Sequence, residues 1–263
     1  MNDDPVARFL RWAELDRRRS DNTLARYRAV LSQLPDPPGA SVDDIQLWWD
    51  SRLHLSEATR ANELACLRAF YKWCGRFDVR PDDPTRRLDA PDIPNRVPRP
   101  IGESDLKKLF ELTEPTPELR RAVALGAYAG LRVSEAAGLD WSNIDIEARR
   151  IYVRGKGRKE RVFGLSPLLL DKLLPETGGN VIMAGGQPVR GDTLQRRINR
   201  LMERNDIDCT FHDLRKRGAT MAAAKTGDIN AVAQAFGWSS IETAASYVRV
   251  SDEALDKIAE AMA

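Results

Sequence analysis

The sequence predicts a mainly α-helical chain: a four-helix N-terminal part, then a mixed α/β part with a small three-stranded antiparallel sheet. Three observations predict it. Apolar residues recur at helical spacing through residues 6–73. Six of the 15 prolines crowd into residues 81–100, where lost backbone donors and restricted preceding residues work against helix. Between 144 and 165 the pattern changes to alternation and β-forming residues on either side of Gly155-Lys156-Gly157.

Residues 6–18 and 23–34 carry the first two helices. Ser41 and Asp44 form a capping pair that opens a third, running through Trp48 and Trp49. Ser56 caps a fourth, whose apolar face holds Leu64, Leu67, Phe70 and Trp73. Tryptophans at this spacing are packing residues. The proline stretch 81–100 is expected to be an extended linker, separating a helical domain at 1–80 from a second domain at 101–263. Helices follow at 105–112 and 118–128, and strands at 144–146, 150–154 and 161–165. Ser166-Pro167 opens a helix to residue 173, a cap followed by a first-turn proline. Further helices are expected at 193–204, 213–225, 229–236 and 241–248, and Ser251 caps a last one at 252–262.

Composition narrows the function. At 263 residues the chain can bury two modest cores. Charged residues make up 30% and mean hydropathy is −0.46. The longest apolar run, 122–131, is too short to cross a bilayer, and the acidic start Met-Asn-Asp-Asp-Pro lacks a signal-peptide pattern. A cytoplasmic protein with no membrane partner is expected. Cys66, Cys74 and Cys209 are odd in number and lack metal-site spacing, so thiols are expected rather than disulfides. No Gly-x-x-x-x-Gly-Lys-Ser/Thr loop and no carboxylate cluster suited to Mg²⁺ occurs.

The net charge is only +2, so the local distribution of charge says more. Of the 41 lysines and arginines, 32 are arginines, whose planar fork matches phosphate oxygens in pairs; a GC-rich coding sequence would produce such an excess too, so it carries little weight. Residues 149–161 hold seven cations against one acid, including Arg154, Arg158, Lys159 and Arg161. Arg190, Arg196, Arg197, Arg200 and Arg204 form a second cluster on an expected helix. Either cluster alone is equally well a solvated face. Nucleic acid accounts better for both together.

The candidate chemistry is dispersed. Arg132 and Glu135, three apart in Gly-Leu-Arg-Val-Ser-Glu, share a helix face; alone they make a surface ion pair, and after the small-residue run ending at Gly130 they make a rigidly held arginine with its partner. His212 and Arg215, in His-Asp-Leu-Arg, can point at one anion from a first turn whose backbone N–H groups face it, or can simply sit at a solvated helix start. Lys156 between two glycines is a solvated turn, or a lysine delivered closely enough to protonate a leaving alkoxide. Trp238 and Tyr247, read singly, are packing residues. Together, two arginines, a lysine, a histidine and a tyrosine suit metal-free attack on a phosphodiester, because the cations can stabilise both a phenolate and a pentacoordinate phosphorus. A phosphotyrosyl ester keeps the bond energy nearly unchanged, so such a step needs no ATP.

Over residues 99–250 these motifs, in this order and spacing, resemble the tyrosine recombinase, or phage integrase, family. The resemblance implies a compact Xer-like or small phage integrase without an arm-binding domain, its first four helices acting as a core-DNA-binding domain. It implies that Arg132 and Arg215 clamp the non-bridging oxygens and that Lys156 is the general acid for the 5′-hydroxyl. His212 would be acid/base, Trp238 would fill the position of a histidine or tryptophan, Tyr247 would form the 3′-phosphotyrosyl link and Glu135 would support them. Two residues depart from the commonest pattern: Lys216 stands where a histidine often follows the second arginine, and Trp238 replaces the commoner histidine. The implied partners are double-stranded DNA, three further protomers in a tetramer that passes through a Holliday junction, and an accessory directionality protein; no cofactor is implied. The helix at 252–262 is expected to dock on a neighbouring protomer or on its own domain. Phage integration and excision is the favoured role, with Xer-type dimer resolution, a type IB topoisomerase, or a DNA-binding relative without catalysis as the alternatives.

Overall fold

A computed structural model describes residues 4–93, 100–154, 160–173, 178–238, 260 and 262. The chain divides into two compact units, residues 1–95 and 96–263.

The first unit is built from four helices, three of them started by a side-chain cap legible in the sequence. Asp4 caps α1 (Pro5–Leu15), accepting from the Val6 N–H, with a proline at the first helical position. Helix α2 spans Asp21–Leu31. Ser41 and Asp44 make a reciprocal capping box on α3 (Val42–Asp50), and Ser56 accepts from the Thr59 N–H to open α4 (Glu57–Arg76). The buried faces meet in an aromatic core. Phe9 sits 5.0 Å from Tyr27, 5.4 Å edge-on from Phe70 and 5.8 Å from Trp73 between ring centres. Cys66 and Cys74 are buried thiols on α4.

The proline stretch is not extended from its start. Thr85 and Leu88 are buried in the first unit, and Arg68 donates to the Leu88 carbonyl at 2.5 Å. Burial of Leu88, worth about 1.5–3 kcal/mol, anchors the segment, and the Asp83–Thr85 turn and the Arg68 hydrogen bond help to fold it back.

In the second unit, α5 (Glu103–Thr113) precedes α6 (Pro117–Ala129), the most buried helix, with seven of its residues in the main core. Helix α6 ends at Gly130 in the left-handed conformation (φ 63°). A short α7 (Val133–Ala137) and a 3₁₀ turn (Trp141–Asn143) lead into the sheet. Strands β1 (Ile144–Asp145), β2 (Arg150–Arg154) and β3 (Glu160–Gly164) pair antiparallel in sequence order, with Arg150 opposite Gly164 and Arg154 opposite Glu160. Ile151, Val153 and Phe163 point into the core, and Tyr152 and Val162 point out.

Helix α8 (Pro167–Leu173) follows, then a hairpin that the sequence reading passed over: β4 (Met183–Ala184) and β5 (Gln187–Pro188), joined through Gly185 and Gly186, both at positive φ. The Gly-Gly pair was its signal. Helices α9 (Gly191–Glu203), α10 (Phe211–Thr226) and α11 (Ile229–Phe236) complete the described fold. Helix α10 packs along α6 so closely that a β-carbon at Gly218 would meet the Gly130 Cα at 3.2 Å. The expected helix at 241–248 lies outside the described residues, as does that at 252–262 apart from Glu260 and Met262.

Candidate functional site

Because α6 stops at Gly130, the chain turns sharply and presents Arg132 as the residue that starts α7. Glu135, one turn on, reaches back to it. Its Oε2 accepts from the Arg132 backbone N–H at 2.9 Å and its Oε1 from the Arg132 Nη1 at 2.8 Å. The ion pair is therefore an orienting clamp: the glutamate side chain is 6% exposed, while 42% of Arg132 remains open to solvent. Burial pushes the Glu135 carboxyl up, but the Arg132 hydrogen bonds and the charges of Arg161 and Arg132 outweigh it and hold the group below its ordinary value.

Helix α10 brings Arg215 to the same place. Only 2% exposed, its guanidinium donates to the Gly130 carbonyl at 2.5 Å and the Phe236 carbonyl at 2.6 Å, and stands 3.8 Å from Glu135 Oε2. It lies over the rings of Phe236 and Trp238, at 5.1 and 5.8 Å from their centres. Trp238 packs against Phe236 with ring centres 5.2 Å apart.

Arg132, Arg215 and His212 line one cavity of about 320 Å³, completed by Leu131, Val133, Ser134, Gln195 and Phe211. His212 is exposed on one side. Its burial on the other, together with the positive charges of Lys216, Arg215 and Arg132, lowers its pKa despite the opposing charge of Asp213. At neutral pH it is therefore an uncharged imidazole able to take a proton. Two fixed guanidiniums and a neutral histidine around one hollow suit a phosphodiester, with charge on its oxygens met by forked donors and a base at hand.

Part of the N-terminus of α10 that the sequence offered to an anion is already engaged by the protein. Asp213 caps it, accepting from the Thr210 N–H at 2.7 Å, and the Phe211 N–H goes to Asn199 Oδ1 at 2.9 Å. The capping carboxylate already answers the positive end of the helix. Lys216 holds the same Asp213, at 2.7 Å.

The expected DNA-contacting cations separate into different surroundings. Arg154 is exposed beside Glu160. Arg196, Arg197 and Arg200 line a groove of about 330 Å³ with Thr193 and Arg204, but Arg197 is held by Glu118 at 2.8 Å. At about 100° per residue, Arg197, Arg200 and Arg204 lie roughly 140–200° around α9 from Gln195, so the groove faces away from the cavity. The Arg161 side chain turns inward from the surface. Its side chain is 8% exposed and donates to Glu135 Oε1 and to the Phe236 carbonyl. Strand alternation carried that signal, since Arg161 lies two residues from inward-facing Phe163. Lys156, Arg158, Lys159 and Tyr247 lie outside the described residues.

Residues 101–254 match the phage integrase family. Over 284 aligned residues the chain is 26% identical to the tyrosine recombinase XerC of Escherichia coli (strain K12 / DH10B), covering 97% of this chain and 95% of XerC. Its fold is similar to that of lambda integrase residues 75–356 in a dimer bound to a COC′ core site, with TM-score 0.76, 19% identity, and coverage of 94% of this chain and 95% of that one. It is also similar to lambda integrase in a tetramer bound to a Holliday junction, with TM-score 0.74, 19% identity, and coverage of 90% and 76%.

Proposed function

Because the chain belongs to the phage integrase family of tyrosine recombinases, we propose that it is a site-specific DNA recombinase working through a 3′-phosphotyrosyl intermediate. The observation that carries this is the convergence of Arg132, Arg215 and His212, from two separate helix starts, on one cavity. In this reading the two arginines neutralise the non-bridging oxygens while Tyr247 Oη attacks phosphorus. The bond from phosphorus to the 5′-oxygen breaks, the leaving oxygen takes a proton from the Lys156 ammonium, and His212 accepts the phenol proton. Glu135 keeps Arg132 aimed, and Trp238 walls the site. The reverse step, with a different 5′-hydroxyl, exchanges strands.

Duplex DNA as substrate and a tetramer joined around a Holliday junction are supported by the fold shared with DNA-bound lambda integrase. We favour integration and excision of a phage or similar element, with an accessory protein setting direction. The end-to-end match to XerC favours a second reading, resolution of dimers at two like sites. The two differ in whether the protein joins unlike sites on separate molecules or excises between identical repeats on one.

The test is a nicked suicide duplex carrying the target, found by mapping adducts on genomic DNA. The wild-type chain should form a covalent adduct and resolve a synthetic junction. Tyr247→Phe should bind and form none. An adduct by that variant would overturn the assignment, and cleavage without junction resolution would point to a topoisomerase.

A further inference from the structure

Arg161 enters the interior from β3, its guanidinium 5.6 Å from the centre of the Phe163 ring. Its two terminal nitrogens reach one carbonyl that holds Arg215 and the carboxylate that stands beside it. Nη1 donates to the Phe236 carbonyl, which also takes Arg215 Nη2, and Nη2 donates to Glu135, whose other oxygen stands 3.8 Å from Arg215. A β-carbon on Gly237 would lie 2.6 Å from Arg161 Nη1, so the turn after α11 is shaped around this guanidinium.

We propose that Arg161 is a positioning residue for Arg215, not a DNA contact. It shares Glu135 Oε1 with Arg132 and the Phe236 carbonyl with Arg215, drawing the carboxylate away from Arg215 and pinning the end of α11, from which the chain runs on to Trp238 and Tyr247. The physical reason is competition for one buried carboxylate. Glu135 is one anion among three guanidiniums, and its 3.8 Å approach to Arg215 is charge attraction without a hydrogen bond. Without Arg161, Glu135 Oε1 keeps only Arg132, which is half open to solvent, and the buried carboxylate gains by turning toward another cation. Arg215 is the adjacent cation. A guanidinium drawn onto Glu135 no longer faces the phosphorus squarely, and misplacing a donor to developing charge costs on the order of 100-fold in rate.

The activity arm of this inference rests on the recombinase reading. At saturating suicide DNA, Arg161→Met should slow adduct formation about 100-fold, and Arg161→Lys should fall between it and wild type. The salt dependence of DNA binding should keep its slope. A slope reduced by about one unit would mean that Arg161 touches a phosphate and would overturn the proposal. Glu135→Gln alone carries the loss of the Arg132 clamp, so the double variant Glu135→Gln/Arg161→Met, with the competing charge gone, should be little slower than Glu135→Gln; a further loss as large as Arg161→Met causes in the wild-type background, with all variants folded by thermal unfolding, would also overturn it. A methylphosphonate at the scissile position needs less charge neutralisation, so the Arg161→Met defect should shrink on it. An undiminished defect would indicate a purely structural role.

A DNA-free readout separates this from failure of the recombinase reading. The Arg215 Nε–Hε resonance, assigned through Arg215→Lys, should move in Arg161→Met and return in the double variant. If wild type forms no adduct yet this resonance behaves so, the recombinase reading fails and the positioning role stands. An unmoved resonance overturns the role whatever the enzyme does.

Discussion

The Arg215 guanidinium lies 5.1 Å from the centre of the Phe236 ring while its Nη2 donates to the carbonyl of that same residue at 2.6 Å. One residue at the end of α11 thus supplies both a face and an acceptor to the buried arginine of the site. The Phe236 ring in turn closes over Gly130, whose own carbonyl takes the other arm of the guanidinium. Arg215 is held by main-chain oxygens at two helix ends, so its aim depends on how those ends stop.

Gly130→Ala should therefore damage fold and site together. The residue has φ 63°, and an added β-carbon would lie 2.2 Å from the Phe236 ring. Left-handed strain and a displaced ring should together cost roughly 2–5 kcal/mol. Thermal unfolding of the variant checks this; an unchanged melting temperature would contradict the packing described.

His212 carries a pH signature. Its pKa is lowered in the fold from the ordinary 6.5, so on acidification the unfolded chain takes up the proton first. The stabilisation tied to the neutral ring is present above pH 6.5 and is lost as pH falls from there through the lower folded value. His212→Gln should flatten the stability curve in that window. It should also remove an acid inflection from the adduct-formation rate, which stopped-flow cleavage across pH 5–8 would reveal.

Arg200 faces away from the cavity, in the groove on the far side of α9. If that groove tracks DNA, Arg200→Ala should weaken binding and reduce the salt slope by about one, with the cleavage rate at saturation unchanged. A slope equal to wild type would show that these arginines serve another surface.

Lys156→Ala should slow cleavage of an ordinary substrate by roughly 100-fold or more, the usual scale of general-acid catalysis. Replacing the leaving 5′-oxygen with sulfur supplies a group that departs without a proton. Restoration of the rate on the thio substrate is the expected result, and its absence would remove Lys156 from the acid role.

The sequence by itself determined whatever depends on near neighbours. Ser41 with Asp44, Ser56 and Pro167 mark helix starts that are present in the fold, because a cap is a contact over three residues. Alternation at 150–154 gave the central strand with its true ends. The pairing of Arg132 with Glu135 is equally local. Tertiary structure alone decided among the arginines. Arg161 looked like its basic neighbours yet turns inward to Glu135, 26 positions away; Arg197 is taken by Glu118, 79 positions away; Arg215 is fixed by carbonyls at Gly130 and Phe236. A cap or a strand face is set by bonds along a few residues of chain, whereas a long guanidinium takes whichever acceptors the packed helices bring within its reach.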